Sequence, residues 1–122
     1  MAFENFSPIQ SFVAGVDLSS HQYSFVSLDS NGKLVLGTQT TPVIGVLIND
    51  PKAGQTGTVF VGNGVVQLKL AGSVSRGDVI TTNASGKGVT ATAGKKGLGV
   101  ALQSGVAGEV IAVLLFNFPA SV

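Results

Sequence analysis

The sequence predicts an all-β protein, a small antiparallel barrel or sandwich built from two similar halves with an extended N-terminal arm. Three observations support this prediction. Short runs of β-branched and apolar residues alternate with glycine-rich turns along the chain. No window of about a dozen residues combines helical periodicity with helix caps. Residues 23–54 align with residues 77–108 without a gap, which indicates two related halves.

The alignment of the two halves has a constant offset of 54 positions, as from Gly32-Lys33 to Gly86-Lys87. Glycine and valine are abundant in this chain and raise the number of chance matches, but the constant spacing is hard to obtain by chance. The other identical pairs are Val35 and Val89, Thr38 and Thr92, Gly45-Val46 and Gly99-Val100, and Ala53-Gly54 and Ala107-Gly108. We interpret the two segments as the product of a duplication.

The same order of elements is predicted in each half. A strand is followed by a glycine turn, a short return strand, an apolar strand, a second glycine turn and a last apolar strand. In order, the predicted strands are 25–28, 33–36, 43–48, 58–61, 65–70, 79–82, 87–90, 98–102 and 110–115. These are about nine strands of about five residues each. We expect an arm over 1–14, one β-domain over 15–118 and a C-terminal tail over 119–122.

The composition indicates a globular chain with part of its surface covered. Of 122 residues, 44% are hydrophobic and only 11% are charged. A disordered chain would have more charge and fewer apolar residues. So little charge in a small domain predicts contacts with copies of itself or with a partner.

Several classes of function are disfavoured. The seven basic residues are scattered, whereas nucleic-acid binding needs clustered cations. There is no cysteine, so neither a disulfide nor a thiolate metal site is expected. The first ten residues lack the basic and apolar regions of a signal peptide. The longest apolar run, 110–116, is too short to span a membrane.

No catalytic, cofactor-binding or metal-binding residues are predicted, and the chain is not expected to be an enzyme. His21 is the only histidine, and its neighbour Ser20 would point away from it in an extended chain. The six acidic residues have no spacing typical of a paired-carboxylate or metal site. Gly86-Lys87 is followed by Gly88 and a predicted strand, unlike a phosphate-binding loop, which opens a helix.

The tripeptide Arg76-Gly77-Asp78 matches a cell-adhesion signal. In the alignment of the halves it falls on Gln22-Tyr23-Ser24, directly before a predicted strand. We therefore interpret it as the entry into that strand, where Gly77 turns the chain and Asp78 bonds nearby backbone.

Residues 15–116 resemble a family of small bacteriophage proteins, the capsid cement or head decoration proteins. The resemblance is carried mainly by glycine turns and apolar strand residues. The shared pieces are Ile44-Gly45-Val46-Leu47, Asn49-Asp50-Pro51, Ala53-Gly54, Gly77-Asp78, Gly99-Val100-Ala101-Leu102, Ala107-Gly108-Glu109 and Val113-Leu114-Leu115. The resemblance implies a structural protein, often a homotrimer, that binds the major capsid protein on the outside of the virion after synthesis in the host cytoplasm.

The N-terminal arm is the predicted attachment segment, to the capsid or to a neighbouring subunit. It has no counterpart in the gap-free alignment and carries a single charge, Glu4. Its apolar side chains could enter a partner's pockets or add a strand to its edge. The candidate attachment residues are Phe3, Phe6, Pro8, Ile9 and Phe12. In the alternative, the arm folds back on its own barrel.

A second function stays open, that of a receptor- or carbohydrate-binding β-module of a phage tail or fibre. Such a module would use exposed aromatic side chains for stacking. The chain has one tyrosine, Tyr23, and no tryptophan, which counts against this alternative.

Overall fold

The computed structural model describes residues 2, 4 and 7–121, and for 116–121 it describes the backbone alone. In this part of the chain every regular element is a β-strand, and all strand pairs are antiparallel. The strands are β1 (Ile9–Val13), β2 (Phe25–Leu28), β3 (Leu34–Leu36), β4 (Val43–Leu47), β5 (Thr56–Phe60), β6 (Gly64–Lys69), β7 (Val79–Thr82), β8 (Gly88–Thr90), β9 (Lys96–Ala101) and β10 (Val110–Ser121).

The ten strands form two five-stranded sheets of identical topology. The first sheet has the order β1-β5-β4-β2-β3, and the second has the order β6-β10-β9-β7-β8. Adding five to each strand number of the first sheet gives the strand order of the second sheet. The predicted all-β class, built from two similar halves, is therefore confirmed.

Each sheet curls until its two edge strands meet. In the first sheet a parallel bridge joins Ala14, at the end of β1, to Leu34 of β3. In the second sheet the equivalent bridge joins Leu70, after β6, to Gly88 of β8. Each sheet is thus a small barrel, and we call β1–β5 the first barrel and β6–β10 the second barrel.

Matching turns in the two barrels have matching backbone conformations. Gly32 lies in the β2–β3 turn and Gly86 in the β7–β8 turn, with φ of 74° and 76°. Gly54 and Gly108 precede the last strand, with φ of 86° and 87°. Left-handed φ values of this kind favour glycine, which explains why glycine occurs at both positions of each pair.

The two ends of the chain differ from the expected division. Ile9–Val13, expected within the arm, is a strand of the first barrel and pairs with β5. Its counterpart in the second barrel is β6. Val13 pairs with Thr56 of β5, and Lys69 of β6 pairs with Val110, which is the position of β10 equivalent to Thr56. At the other end β10 continues to Ser121, since residues 120 and 121 pair with β9.

The loop between the first two strands explains why β1 was not aligned with β6. From Val13 to Lys69 the offset is 56 positions, whereas from Gly32 to Gly86 it is 54. The loop that follows β1 is therefore two residues longer than the loop that follows β6. A gap-free alignment that starts at residue 23 cannot extend across this difference.

The two hydrophobic cores differ in their composition. The buried residues of the first core all come from the first half: Ala14, Leu18, Val26, Leu34, Leu47 and Val59. The second core combines side chains of the second barrel with Phe25 and Val46 of the first. Both of these are fully buried, so the second barrel packs against the outer face of the first.

Candidate functional site

An apolar row crosses the outer face of each barrel. In the first barrel Phe25 pairs with Val46, Val46 with Phe60, and Phe60 with Ile9. Directly paired residues of adjacent strands lie on the same face of a sheet, so the four side chains are neighbours. We call these four residues the first-barrel row.

The second barrel repeats this arrangement. Val79 pairs with Val100, Val100 with Leu114, and Leu114 with Val65. We call these four residues the second-barrel row. All eight positions of the two rows hold apolar side chains, which predicts that both rows make contacts.

The two rows differ in what covers them. Phe25 and Val46 are fully buried by the second barrel, and Phe60 packs against the same core. In the second-barrel row, Val65 is 62% exposed and Leu114 is 39% exposed. Val79 and Val100 are half-buried. The second-barrel row is therefore an apolar surface, of the kind that marks an interaction site.

Two further side chains enlarge this surface. Leu102 directly follows the end of β9, two residues after Val100, and Val110 lies four residues before Leu114 on β10. Both are among the exposed large hydrophobic residues of the described chain. The second-barrel row with Leu102 and Val110 is our candidate interaction surface.

Backbone hydrogen bonds hold the two barrels together where the first-barrel row is covered. The Phe25 amide donates to the carbonyl of Gly86, in the β7–β8 turn, at 2.7 Å. The Lys69 amide, at the end of β6, donates to the carbonyl of Tyr23 at 2.8 Å. The contact between the barrels is therefore a specific one, and we call it the junction.

A polar cluster lies at the edge of the junction. Lys87 Nζ donates to Ser24 Oγ at 3.2 Å and lies 3.1 Å from His21 Nδ1. Because a lysine ammonium only donates, Nδ1 accepts and the ring proton is on Nε2. Burial, and then the charge of Lys87, lower the pKa of His21. Burial, and then Lys69, lower the pKa of Lys87.

The sequence-predicted attachment residues do not form one surface. Phe3 and Phe6 lie outside the described residues. Pro8 is exposed, and its carbonyl accepts a hydrogen bond from the Val61 amide at 2.8 Å. Ile9 is 38% exposed and belongs to the first-barrel row. Phe12 instead packs against the first core.

The entry into β7 has the same backbone geometry as the entry into β2. Tyr23 and Gly77, which are 54 positions apart, both have positive φ, of 63° and 90°. The Tyr23 amide donates to the carbonyl of Leu47, and the Gly77 amide donates to that of Ala101. Arg76-Gly77-Asp78 is therefore a turn leading into a strand, as predicted.

The side chains of this tripeptide are engaged within the chain. Asp78 Oδ2 accepts hydrogen bonds from the Ser75 amide at 2.9 Å and from Thr90 Oγ1 at 3.1 Å. Arg76 Nε donates to the carbonyl of Leu102 at 3.2 Å. These bonds fix the turn before β7. They give Arg76 and Asp78 a structural role that does not require a receptor.

The described part of the chain was also considered for metal-binding clusters and membrane-spanning helices. No group of three or more His, Asp or Glu side chains there is placed to hold a metal ion. A helix of the length and hydropathy needed to cross a membrane is likewise not found in these residues.

The second-barrel row was missed at the sequence level, although a signal for it existed. Phe25 and Val79 are equivalent positions in the alignment of the halves, so their side chains are expected on the same face of their sheets. Only the three-dimensional structure shows that one of them is covered by the neighbouring barrel. Tracing the aligned apolar positions across both halves would have pointed to the row, but not to its exposure.

Known proteins give two similarities. The sequence profile of the phage cement proteins matches residues 13–115. The solved structure of the head fiber gp8.5 N base in bacteriophage phi29 has a TM-score of 0.74 at 15% identity, and covers 92% of this chain and 96% of that one. No curated protein matches. The fold is thus shared with a phage head fibre base, and the chain belongs to the phage cement protein family.

Proposed function

We propose that this protein binds the outer surface of a phage capsid, through the major capsid protein, and stabilises the shell. The family membership carries the proposal, because residues 13–115 cover nearly the whole barrel pair. In this role the chain acts without catalysis, as a homotrimer on the exterior of the virion, after synthesis in the host cytoplasm. A pair of barrels packed together, with an open apolar surface, supports a structural role.

Attachment to the capsid is assigned to the N-terminal segment. Phe3, Phe6, Pro8 and Ile9 are apolar, and the latter two are exposed. Burying a phenylalanine side chain contributes roughly 1.5–3 kcal/mol. Several arms linked in one oligomer would bind a shell tightly even where each arm alone binds weakly. Phe12 is not included, because it packs in the first core.

Purified capsids that lack the protein test this function. We expect added protein to co-sediment with them at saturable stoichiometry and to raise the temperature at which the shell releases its DNA. Serum albumin in the same sedimentation provides the control for trapping. Protein that stays in the supernatant at all concentrations would contradict the proposal.

A fibre module is the second candidate function, because the similar solved structure is the base of a head fibre. In that role the protein would itself be a receptor- or carbohydrate-binding β-module of a phage tail or fibre. Binding of the purified protein to host cells or to a glycan array would favour this alternative, whether or not the protein is also retained on capsids. Retention on capsids without cell binding would favour the cement function.

A further inference from the structure

We infer that a second copy of the chain packs on the second-barrel row, in a head-to-tail contact that repeats the junction. The self-association belongs to the proposed function, and the inference names the two surfaces that produce it. One is the second-barrel row. The other is the β2–β3 turn of the first barrel, residues 29–33.

The junction provides the template for this contact. Within one chain, Phe25 of the first-barrel row lies against the β7–β8 turn of the second barrel, and its amide donates to Gly86. Val46 and Phe60 of the same row pack against the second core. The equivalent donor on the second barrel is the amide of Val79. The equivalent acceptor on the first barrel is the carbonyl of Gly32, which has nearly the same φ as Gly86.

Both surfaces required for the repeated contact are open. A side-chain carbon placed on Gly86 would lie 2.6 Å from the Phe25 carbonyl oxygen, because the turn is pressed against the first barrel. The same carbon on Gly32 would meet nothing within 4 Å. Residues 30–33 are all exposed, as are Val65 and Leu114 of the second-barrel row. One copy therefore presents a free row, and another presents the free turn that fits it.

Charge favours the contact between copies. In the junction Lys87 Nζ approaches Ser24 Oγ to 3.2 Å. The position equivalent to Lys87 in the first barrel is Lys33, which is exposed. The position equivalent to Ser24 in the second barrel is Asp78, which is half-buried. The contact between copies therefore places Lys33 of one chain beside the Asp78 carboxylate of another. An opposite-charge pair at an interface adds to specificity and to the association rate.

The contact joins two different surfaces, so its symmetry is defined. Head-to-tail contacts produce closed rings where the rotation closes and open filaments where it does not. A trimer is one such closed ring. A two-fold dimer through the second-barrel row alone would instead use the same patch on both chains.

Two variants separate the two surfaces. Leu114→Asp places a charge in the row at the position equivalent to Phe60, which packs in the junction, and Lys33→Glu places a carboxylate beside Asp78. We expect wild-type protein at about 100 μM to sediment as an oligomer, and each variant to associate at least about tenfold more weakly. Val106→Asp and Lys95→Glu are matched controls. Val106 is 55% exposed against 39% for Leu114, Lys95 is an exposed lysine, and both lie off the two surfaces.

Mixing the two variants tests the head-to-tail order. Each variant keeps one intact surface, so an equimolar mixture is expected to form heterodimers of twice the chain mass and no larger species. Circular dichroism verifies that each variant is folded, and Leu114→Ser replaces Leu114→Asp should the latter unfold. A monomeric wild type, controls that dissociate as the variants do, or a mixture that stays monomeric would each overturn the inference.

Retention on capsids is measured separately for each protein. Wild-type protein that oligomerises but is not retained supports the head-to-tail contact and contradicts the proposed function. Protein that is retained on capsids yet monomeric in sedimentation overturns the head-to-tail contact alone.

Discussion

The amide of Phe25 donates a 2.7 Å hydrogen bond to the carbonyl of Gly86, and this bond joins the outer face of one barrel to a turn of the next. Both residues are buried. The bond connects halves that are otherwise copies of one another, so substitutions at equivalent positions can separate the effect of the junction from that of local geometry.

Gly86→Ala is expected to destabilise the protein more than Gly32→Ala. The two positions share a left-handed φ, where a side chain costs about 1–2 kcal/mol. Only at position 86 does the added carbon also collide with the Phe25 carbonyl oxygen, at 2.6 Å. We expect an additional loss of at least about 1 kcal/mol in the free energy of unfolding. Urea denaturation measures both variants, and equal losses would contradict the packing of the junction.

Asp78→Ala is expected to lower the free energy of unfolding by about 1–2 kcal/mol, because the carboxylate accepts bonds from Ser75 and Thr90. Arg76→Ala is expected to cost less, since its side-chain bond is exposed. Thermal unfolding measures both. We also expect the Arg76 variant to bind capsids as wild type does. Loss of that binding with an unchanged melting temperature would restore an adhesion role for the tripeptide.

His21 is expected to make stability depend on pH. Its pKa is lowered in the folded protein from an ordinary value of about 6.5, first by burial and then by Lys87. The unfolded chain therefore binds the proton more readily, and stability falls as the pH drops below that value. The loss stops once the pH is below the folded pKa.

Melting temperatures between about pH 7.5 and pH 5 test this pH dependence. We expect His21→Gln to remove the part of the decline that begins near the ordinary pKa of histidine. The substitution also removes the smallest contribution to the lowered pKa of Asp17, a carboxylate that titrates at lower pH than histidine. The same dependence of melting temperature on pH in the wild type and in His21→Gln would show that His21 does not contribute to it.

Deletion of residues 2–6 is expected to abolish co-sedimentation with capsids while the β-sheet signal in circular dichroism is retained. The cut leaves Ser7, Pro8 and β1 in place. Phe12→Ala provides the contrast, because Phe12 packs against the first core and its truncation is expected to cost about 1–3 kcal/mol. Full capsid affinity in the deletion variant would place attachment on the barrels instead.

Local chemistry made much of the fold predictable. Glycine recurs where φ is positive, and Asp29 and Asn83 both accept bonds from the backbone two and four residues later. Such turn signals act within a few residues and can be read from sequence. The alignment with offset 54 then related the strands of one half to those of the other, except for β1 and β6.

The remainder depends on contacts between distant segments. The bridge from Ala14 to Leu34, which closes the first barrel, joins residues whose pairing has no sequence signature. The same limit applied to the rows, since Phe25 and Val79 have the same strand context and differ only in what covers them. Exposure of the second-barrel row follows from the direction in which the two barrels stack.

The unequal composition of the two cores gives the molecule a direction of folding. The first core needs no side chain from the second half, whereas the second includes Phe25 and Val46. The first barrel can therefore form as soon as it leaves the ribosome, and then present these two residues as a surface on which the second barrel assembles. In native-state hydrogen exchange, we expect the amides of β7–β9 to have a lower free energy of opening than the amides of β2, β4 and β5.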